Sequence, residues 1–302
     1  MPPAKVHGIM MVYRGDDFWY SALDSLVQCR DVFDTLTVSF DGPTRFDLVN
    51  LLTETYADSL QPEILVAPEE LSSVEHACWI ARNPTVTEWA GTDYVVLLSE
   101  DDLLRPEIFR AAVAKATKIP GCALFGSWAA PSGEPSETRL LPAIHSVDAI
   151  RIGHWLNQVA KSRRPTSITA TLTPVEAYRN YISLLQGQSF ERTLFDGVRA
   201  EYLLVTQAPI KQILSSAEPL AVIQQHQNQE SKSLPPRIWA HDEALFQLWL
   251  VMTPIHIGIL ARGMAVLRFL KWISRDLSTL IDLPNAIETF GLARRSVRHS
   301  TD

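Results

Sequence analysis

Residues 95–106, VVLLSEDDLLRP, place Glu100, Asp101 and Asp102 directly after an apolar run. Carboxylates delivered by the end of a buried strand are hard oxygen ligands for Mg2+ or Mn2+, and such an ion can neutralise a diphosphate. An isolated run of acids also fits a solvated turn in which Asp102 caps the next helix. Asp41 stands in the same relation to a second apolar run, TLTVSF, and is followed by Gly42 and Pro43. Two strand ends thus carry acids, so the fold decides whether they meet.

Other chemistries lack their residues. There is no GxGxxG and no GxxxxGKS, which disfavours a dinucleotide fold with the usual phosphate loop and a P-loop NTPase. HDEAL, starting at His241, is not HExxH, and no GxSxG elbow occurs. Cys29, Cys78 and Cys122 are far apart and form no CxxC, which argues against a zinc site or disulfide framework and fits a reducing cytosol.

The elements that must position the acids follow from periodicity. Residues 5–13 (KVHGIMMVY) read as a buried strand and 17–28 as a helix; 35–40 and 44–56 repeat the pair. Residues 62–67 form a third strand, 71–90 a helix broken at Asn83-Pro84, and 94–98 a fourth strand. This alternation predicts an α/β fold with a mainly parallel twisted sheet flanked by helices, binding ligands beyond the carboxyl ends of its strands. Asp41 and the Glu100-Asp101 pair fall at such ends.

Beyond Pro106 a helix is expected over 107–118, a strand over 123–128 and turns around APSGEPSE. Residues 174–186 and 197–206 read as helices, 210–214 and 219–224 as short strands. From 235 to about 290 helix dominates. The division is a domain over 1–232 and a helical C-terminal extension over 233–302.

The chain has 302 residues, 46% apolar and 20% charged, enough for a substantial core. A formal charge of −7 gives no general attraction to nucleic acid. The start of the chain has no signal-peptide core, and the apolar segment 253–281 carries Arg262, Arg268, Lys271 and Arg275, which makes it a poor membrane span. Over 266–281, Arg268, Lys271 and Arg275 share one helical face, and Val266, Leu270, Ile273, Leu277 and Leu280 another. That pattern fits peripheral contact with anionic lipid, or packing against the main domain or a second subunit in a homo-oligomer.

Three segments together resemble the family 2 glycosyltransferases of the GT-A fold: MMVYRGDDFWYSALDSLVQC, VSFDGPT and ACWIARNPTVTEWAGTDYVVLLSEDDLLRPEIF. The likeness runs through most of the first 230 residues and rests on the order and spacing of the motifs. It implies a GT-A (Rossmann-like) fold and inverting transfer of a sugar from a nucleotide-diphosphate sugar to an acceptor hydroxyl. The acceptor would be a glycan or lipid-linked saccharide, in bacterial polysaccharide or glycan assembly at the cytoplasmic side of the membrane.

Residue by residue, the resemblance implies that Asp41 binds the nucleobase and that Arg82 and Asn83 lie near the ribose and diphosphate. Glu100 faces the ribose, and Asp101 binds a divalent metal, Mn2+ or Mg2+. Ser99 stands where many members carry the first Asp, and the base-binding turn is Phe-Asp-Gly rather than a double acid. PLAVIQQHQNQESKS resembles a later family segment that makes His226 a metal or phosphate contact, although a surface histidine fits equally.

Counting back gives two candidates for the base that deprotonates the acceptor, Glu201 and Asp196, with Glu201 favoured by the helical pattern after it. Asp196 also fits a helix N-cap. The rival triplet His241-Asp242-Glu243 reads more simply as the first turn of a helix. Trp128, Trp155 and Tyr178 fit either core or sugar stacking. Two other functions stay open: a sugar-phosphate nucleotidyltransferase, whose Gly-rich N-terminal loop is missing, and a noncatalytic binding or scaffold protein, which Ser99 keeps in play.

Overall fold

The computed structural model describes residues 4–13, 19–43, 46–125, 128–131, 138–140, 146–162, 170–186, 204, 207, 209–216, 218–223, 236–252, 257–275 and 284. The expected helix over 197–206, apart from Leu204, lies outside them.

The first half alternates as its sequence predicts. Strand β1 (Val6–Val12) is followed by α1 (Trp19–Gln28), β2 (Thr35–Phe40), α2 (Phe46–Leu51), α3 (Ala57–Leu60), β3 (Glu63–Val66), α4 (Ser73–Ala81), α5 (Pro84–Glu88) and β4 (Tyr94–Ser99). The single helix expected over 44–56 contains a π turn at Leu52–Tyr56 between α2 and α3. The break at Asn83-Pro84 is present: the Asn83 side chain accepts from Thr85 N at 3.0 Å and Pro84 opens α5, the placement in which proline costs no helical hydrogen bond.

After β4 come β5 (Asp102–Leu104), α6 (Pro106–Ala116), β6 (Cys122–Phe125), β7 (Trp128–Pro131), β8 (Thr138–Leu140) and β9 (Ser146–Arg151). Helix α7 (Ile152–Ser162), β10 (Thr171–Pro174), α8 (Val175–Gln186), β11 (Gln212–Ser215), β12 (Ala221–Ile223), α9 (Pro236–Met252) and α10 (Ile259–Ile273) complete the chain. The strand expected over 123–128 is two strands in different sheets. The long helix expected from 235 is α9 and α10, with Pro254 in the sequence between them.

The main sheet has eight strands in the order β3-β2-β1-β4-β10-β6-β11-β9. Strands β3, β2, β1 and β4 are mutually parallel, whereas β10 is antiparallel to both neighbours. The chain steps outward from β1 to β2 and β3, then returns to β1's other side for β4. Such a reversal of direction is where open α/β sheets bind ligands. A second sheet, β5-β12-β7-β8, begins at Asp102, the last acid of the run.

The central strands are buried on both faces, which explains their unbroken apolar sequences. Ile9, Val95, Leu97 and Phe125 belong to one core with residues of α4, α5, α7 and α8. Met10, Val12, Val96 and Leu98 belong to the other with residues of α1, α2 and α6. Trp155 and Tyr178 are buried core residues. Leu245, Trp249 and Leu250 of α9 and Ala261 and Ala265 of α10 join the first core, so the C-terminal helices cover the sheet. Among the described residues no helix is long and apolar enough to cross a membrane.

Arg268 is not on an exposed basic face. With Ala261 and Ala265 it forms the buried side of α10, because spacings of four and three residues return to one face.

Candidate functional site

The site is assembled around the carboxyl end of β1. Register places Met11 of β1 between Ser39 of β2 and Ser99 of β4. Just beyond, Asp41 N donates to Val12 O at 3.1 Å, and on the other side Tyr13 N donates to Glu100 Oε2 at 2.8 Å. Asp41 and Glu100 therefore flank one strand end, where their charges add locally. Both, like Asp101, are half-buried.

Asp101 is oriented by its neighbour: Ser99 Oγ donates to Asp101 Oδ1 at 2.5 Å. A serine thus occupies the first acidic place of the motif and fixes the second acid. Asp102 leaves the group altogether. It starts β5, is buried, and pairs antiparallel with Ile223 of β12. It is not the cap of α6, whose N-cap is Arg105.

Gly42 allows the turn after β2 to lie close to the 67–71 connection: a Cβ there would sit 3.1 Å from Glu70 Cγ and 3.2 Å from its Cα. Leu71 N donates to Asp41 O at 3.0 Å, and α4 starts beside that turn under a Ser72–Glu75 capping box.

Helix α4 runs from the strand ends back down the sheet. One turn into it, His76 Nε2 lies 2.7 Å from Ser39 Oγ, with its ring edge-on to Tyr13 at 5.3 Å. Farther along, Thr85 Oγ1 donates to Glu63 Oε1 at 2.6 Å, and Glu63 is level with Thr37, nearer the amino ends. Arg82, the exposed C-cap of α4, and Asn83, whose carboxamide oxygen caps α5, lie on this descending stretch. The structure places Asp41 and Glu100-Asp101 at the strand ends on either side of β1, and Arg82 and Asn83 at the junction of α4 and α5. Asp196, Glu201 and His226 lie outside the described residues.

Sequence reasoning passed over three participants: Tyr13, Ser39 and His76. Tyr13 was legible as the residue closing β1, but His76 looks like any polar residue of α4. Its ring is fully buried, Nδ1 has no hydrogen-bond partner, and burial lowers its pKa from 6.5 to about 4. It is neutral at pH 7 and adds no positive charge to the acids above it.

The remaining alternatives weaken on geometry. His241 is buried inside α9, and Glu243 Oε1 accepts from Gln247 Nε2 at 2.9 Å along the same helix. The three cysteines are free and buried; burial pushes Cys29 up to about 12 and Cys122 to about 11, unlike a reactive thiolate. Among the described residues no group of three His, Cys, Asp or Glu side chains could by itself enclose a metal. The donor set nonetheless suits Mg2+ or Mn2+, which are often held by one or two carboxylates together with substrate phosphates.

A mixed sheet with a direction reversal at β1 and acids at the adjoining strand ends defines the α/β, Rossmann-like class to which the GT-A glycosyltransferases belong. Solved structures of that class match along nearly the whole chain. TarS of S. aureus, residues 1–349, in complex with UDP-GlcNAc, has a TM-score of 0.57 at 16% identity, covering 97% of this chain and 81% of that one. Another TarS structure of S. aureus gives 0.54 at 15% identity over 89% of this chain, which spans only 43% of that TarS chain. GalNAc-T7 with UDP, GalNAc and Mn2+ gives 0.51 at 8% identity, covering 92% of this chain and 58% of that one. No family model and no curated protein sequence matches.

Proposed function

We propose that this chain is an inverting, metal-dependent glycosyltransferase of family 2 type, which moves a sugar from a nucleotide-diphosphate donor to an acceptor hydroxyl. The observation that carries this reading is the convergence of Asp41 and Glu100-Asp101 on either side of β1's end. The TarS complex with UDP-GlcNAc makes a uridine diphosphate sugar the first donor to test.

In this reading Asp41 accepts from the base, Tyr13 offers a ring face beside it, and Glu100 holds the ribose hydroxyls. Asp101, oriented by Ser99, holds Mn2+ or Mg2+. The ion supplies charge neutralisation for the leaving diphosphate. His226 is the second ligand proposed; it follows three residues after Ile223, which pairs beside Asp102. Glu201, or Asp196 in its place, takes the proton from the acceptor hydroxyl. The acceptor is a glycan or lipid-linked saccharide in bacterial glycan assembly, and residues 233–302 support the catalytic domain.

The test is hydrolysis or transfer of UDP-sugars with and without Mn2+, alongside thermal shift, since a ligand bound only by the native state raises its apparent stability. Donor-dependent turnover that disappears in Asp101→Ala supports the reading. A second reading is a noncatalytic sugar-nucleotide-binding protein, favoured by the Ser99 hydrogen bond that already engages one Asp101 oxygen. Tight metal-independent binding without turnover would decide for it.

A further inference from the structure

Helix α10 is turned inside out relative to its sequence pattern. Its small residues Ala261 and Ala265 and the cation Arg268 face inward. Large apolar residues face out: Ile259 is 92% exposed, Leu267 70%, Leu260 69%, Leu270 55% and Val266 40%. At 100° per residue these five fall in a single stripe about 120° wide, with Gly263 in its middle and open space where a Cβ would be. Such a continuous exposed patch on a folded surface marks a contact.

Charge indicates what covers it. From Ile257 to Arg275 there is no Asp or Glu, although the chain as a whole is formally −7. Lys271 is exposed at the border of the stripe near its carboxyl end, and Arg275 is exposed just past the end of the helix. The Arg275 guanidinium lies 4.7 Å from the Trp272 ring centroid, which keeps a cation and an amphipathic ring side by side. An apolar stripe edged by a basic residue, on a stretch of chain that carries no acid, matches a helix lying in a lipid headgroup layer.

A second copy of the chain fits less well. From Ile259 to Leu270 the stripe is ~16 Å long at 1.5 Å per residue and presents five large apolar side chains. A standard stable interface draws on roughly 20–30 residues a side.

We infer that α10 docks the protein on an anionic lipid bilayer, its outer stripe among the upper acyl chains and Lys271 and Arg275 at the headgroups. This does not depend on the activity proposed above.

The test is co-sedimentation of the full chain with vesicles of phosphatidylcholine alone or mixed with phosphatidylglycerol. Binding is expected to the anionic vesicles, to weaken as salt rises, and to be lost in Leu260→Asp/Leu267→Asp. In Lys271→Ala/Arg275→Ala affinity should fall roughly 30-fold, from about 1 kcal/mol per cation. Circular dichroism and the melting temperature serve as fold controls, and these exposed substitutions should leave both unchanged. The inference is overturned by absence of binding to anionic vesicles or by binding that survives the double aspartate variant. It is also overturned if that variant lowers the melting temperature, which means the chain's own residues cover the stripe. Sedimentation showing a dimer that the variant dissolves would assign the face to a second copy.

Discussion

Strand β4, beside β1, carries acids at both ends, and the two ends are built differently. At the amino end Asp93 is buried and accepts from Lys5 N at 3.0 Å and Ala90 N at 3.2 Å, with His7 Nε2 at 3.3 Å. His7 in turn reaches Thr35 Oγ1 at 2.8 Å and stacks on Trp89 at 4.2 Å. At the carboxyl end Glu100 takes one amide of Tyr13, Asp101 takes the Ser99 hydroxyl, and both remain half-buried. An acid surrounded by backbone donors and an imidazole is a clamp on the sheet. The acids at the carboxyl end stay part-exposed, and position in the strand distinguishes the two where residue type does not.

The sharpest way to break this comparison is to remove one acid at each end. Asp101→Ala should lower donor turnover on the order of 10³-fold, as expected when a charge-stabilising group is lost, with an unchanged melting temperature. Asp93→Ala should destabilise the fold by about 3 kcal/mol, because Lys5 N, Ala90 N and the His7 ring lose their acceptor, with little effect on the turnover of folded protein. Denaturant titration and donor hydrolysis read both. If the two variants exchange these phenotypes, the division between clamp and site is wrong.

Histidines sharpen the comparison through pH. Burial holds His76 near pKa 4 against 6.5 for a free side chain. The unfolded chain therefore binds the extra proton first as pH falls. The neutral ring's contribution is complete above pH 6.5 and is lost progressively toward pH 4, amounting there to about 3 kcal/mol at 1.36 kcal/mol per pH unit. His76→Gln should flatten stability between those pH values. His7 is also lowered by burial, opposed by the hydrogen bond and charge of Asp93. NMR titration of the two imidazoles should therefore find His76 still neutral at pH 5. A His76 ring that titrates near 6.5 would remove this prediction.

The smallest expected effect is at Ser99. Ser99→Ala removes the hydroxyl that orients Asp101, and loss of such a supporting hydrogen bond should weaken metal affinity about tenfold. Isothermal titration with Mn2+ measures it. Equal affinity in wild type and variant would mean that Ser99 does not position the carboxylate.

The parallel half of the fold was legible because its signals are local. Apolar runs buried on both faces read as strands, and Asp41-Gly42-Pro43 and Asn83-Pro84 punctuate them where the structure does. The placement of Asp41 and Glu100 at strand ends on either side of β1 followed from strand alternation alone. The split of residues 123–128 between two sheets, the antiparallel insertion of β10 and the pairing of β5 with β12 depend on contacts distant in sequence, so no window along the chain could show them. His76 was hidden for a related reason. Its role depends on which way α4 runs across the sheet. Arg268 illustrates the opposite error, a cation read as surface that packing draws inward.

The pairing of β5 with β12 also bears on how the molecule is made. Asp102–Leu104 acquires its partner only when Ala221–Ile223 arrives, more than a hundred residues later. Contacts so far apart in sequence form slowly, because a long loop must close before they are rewarded. On the ribosome, β1 to β4 can assemble from local units while the acidic turn still waits for its last support. A nascent chain halted short of residue 220 is therefore expected to hold a formed parallel sheet with an unfinished ligand end, and the order of synthesis becomes the order in which scaffold and site mature.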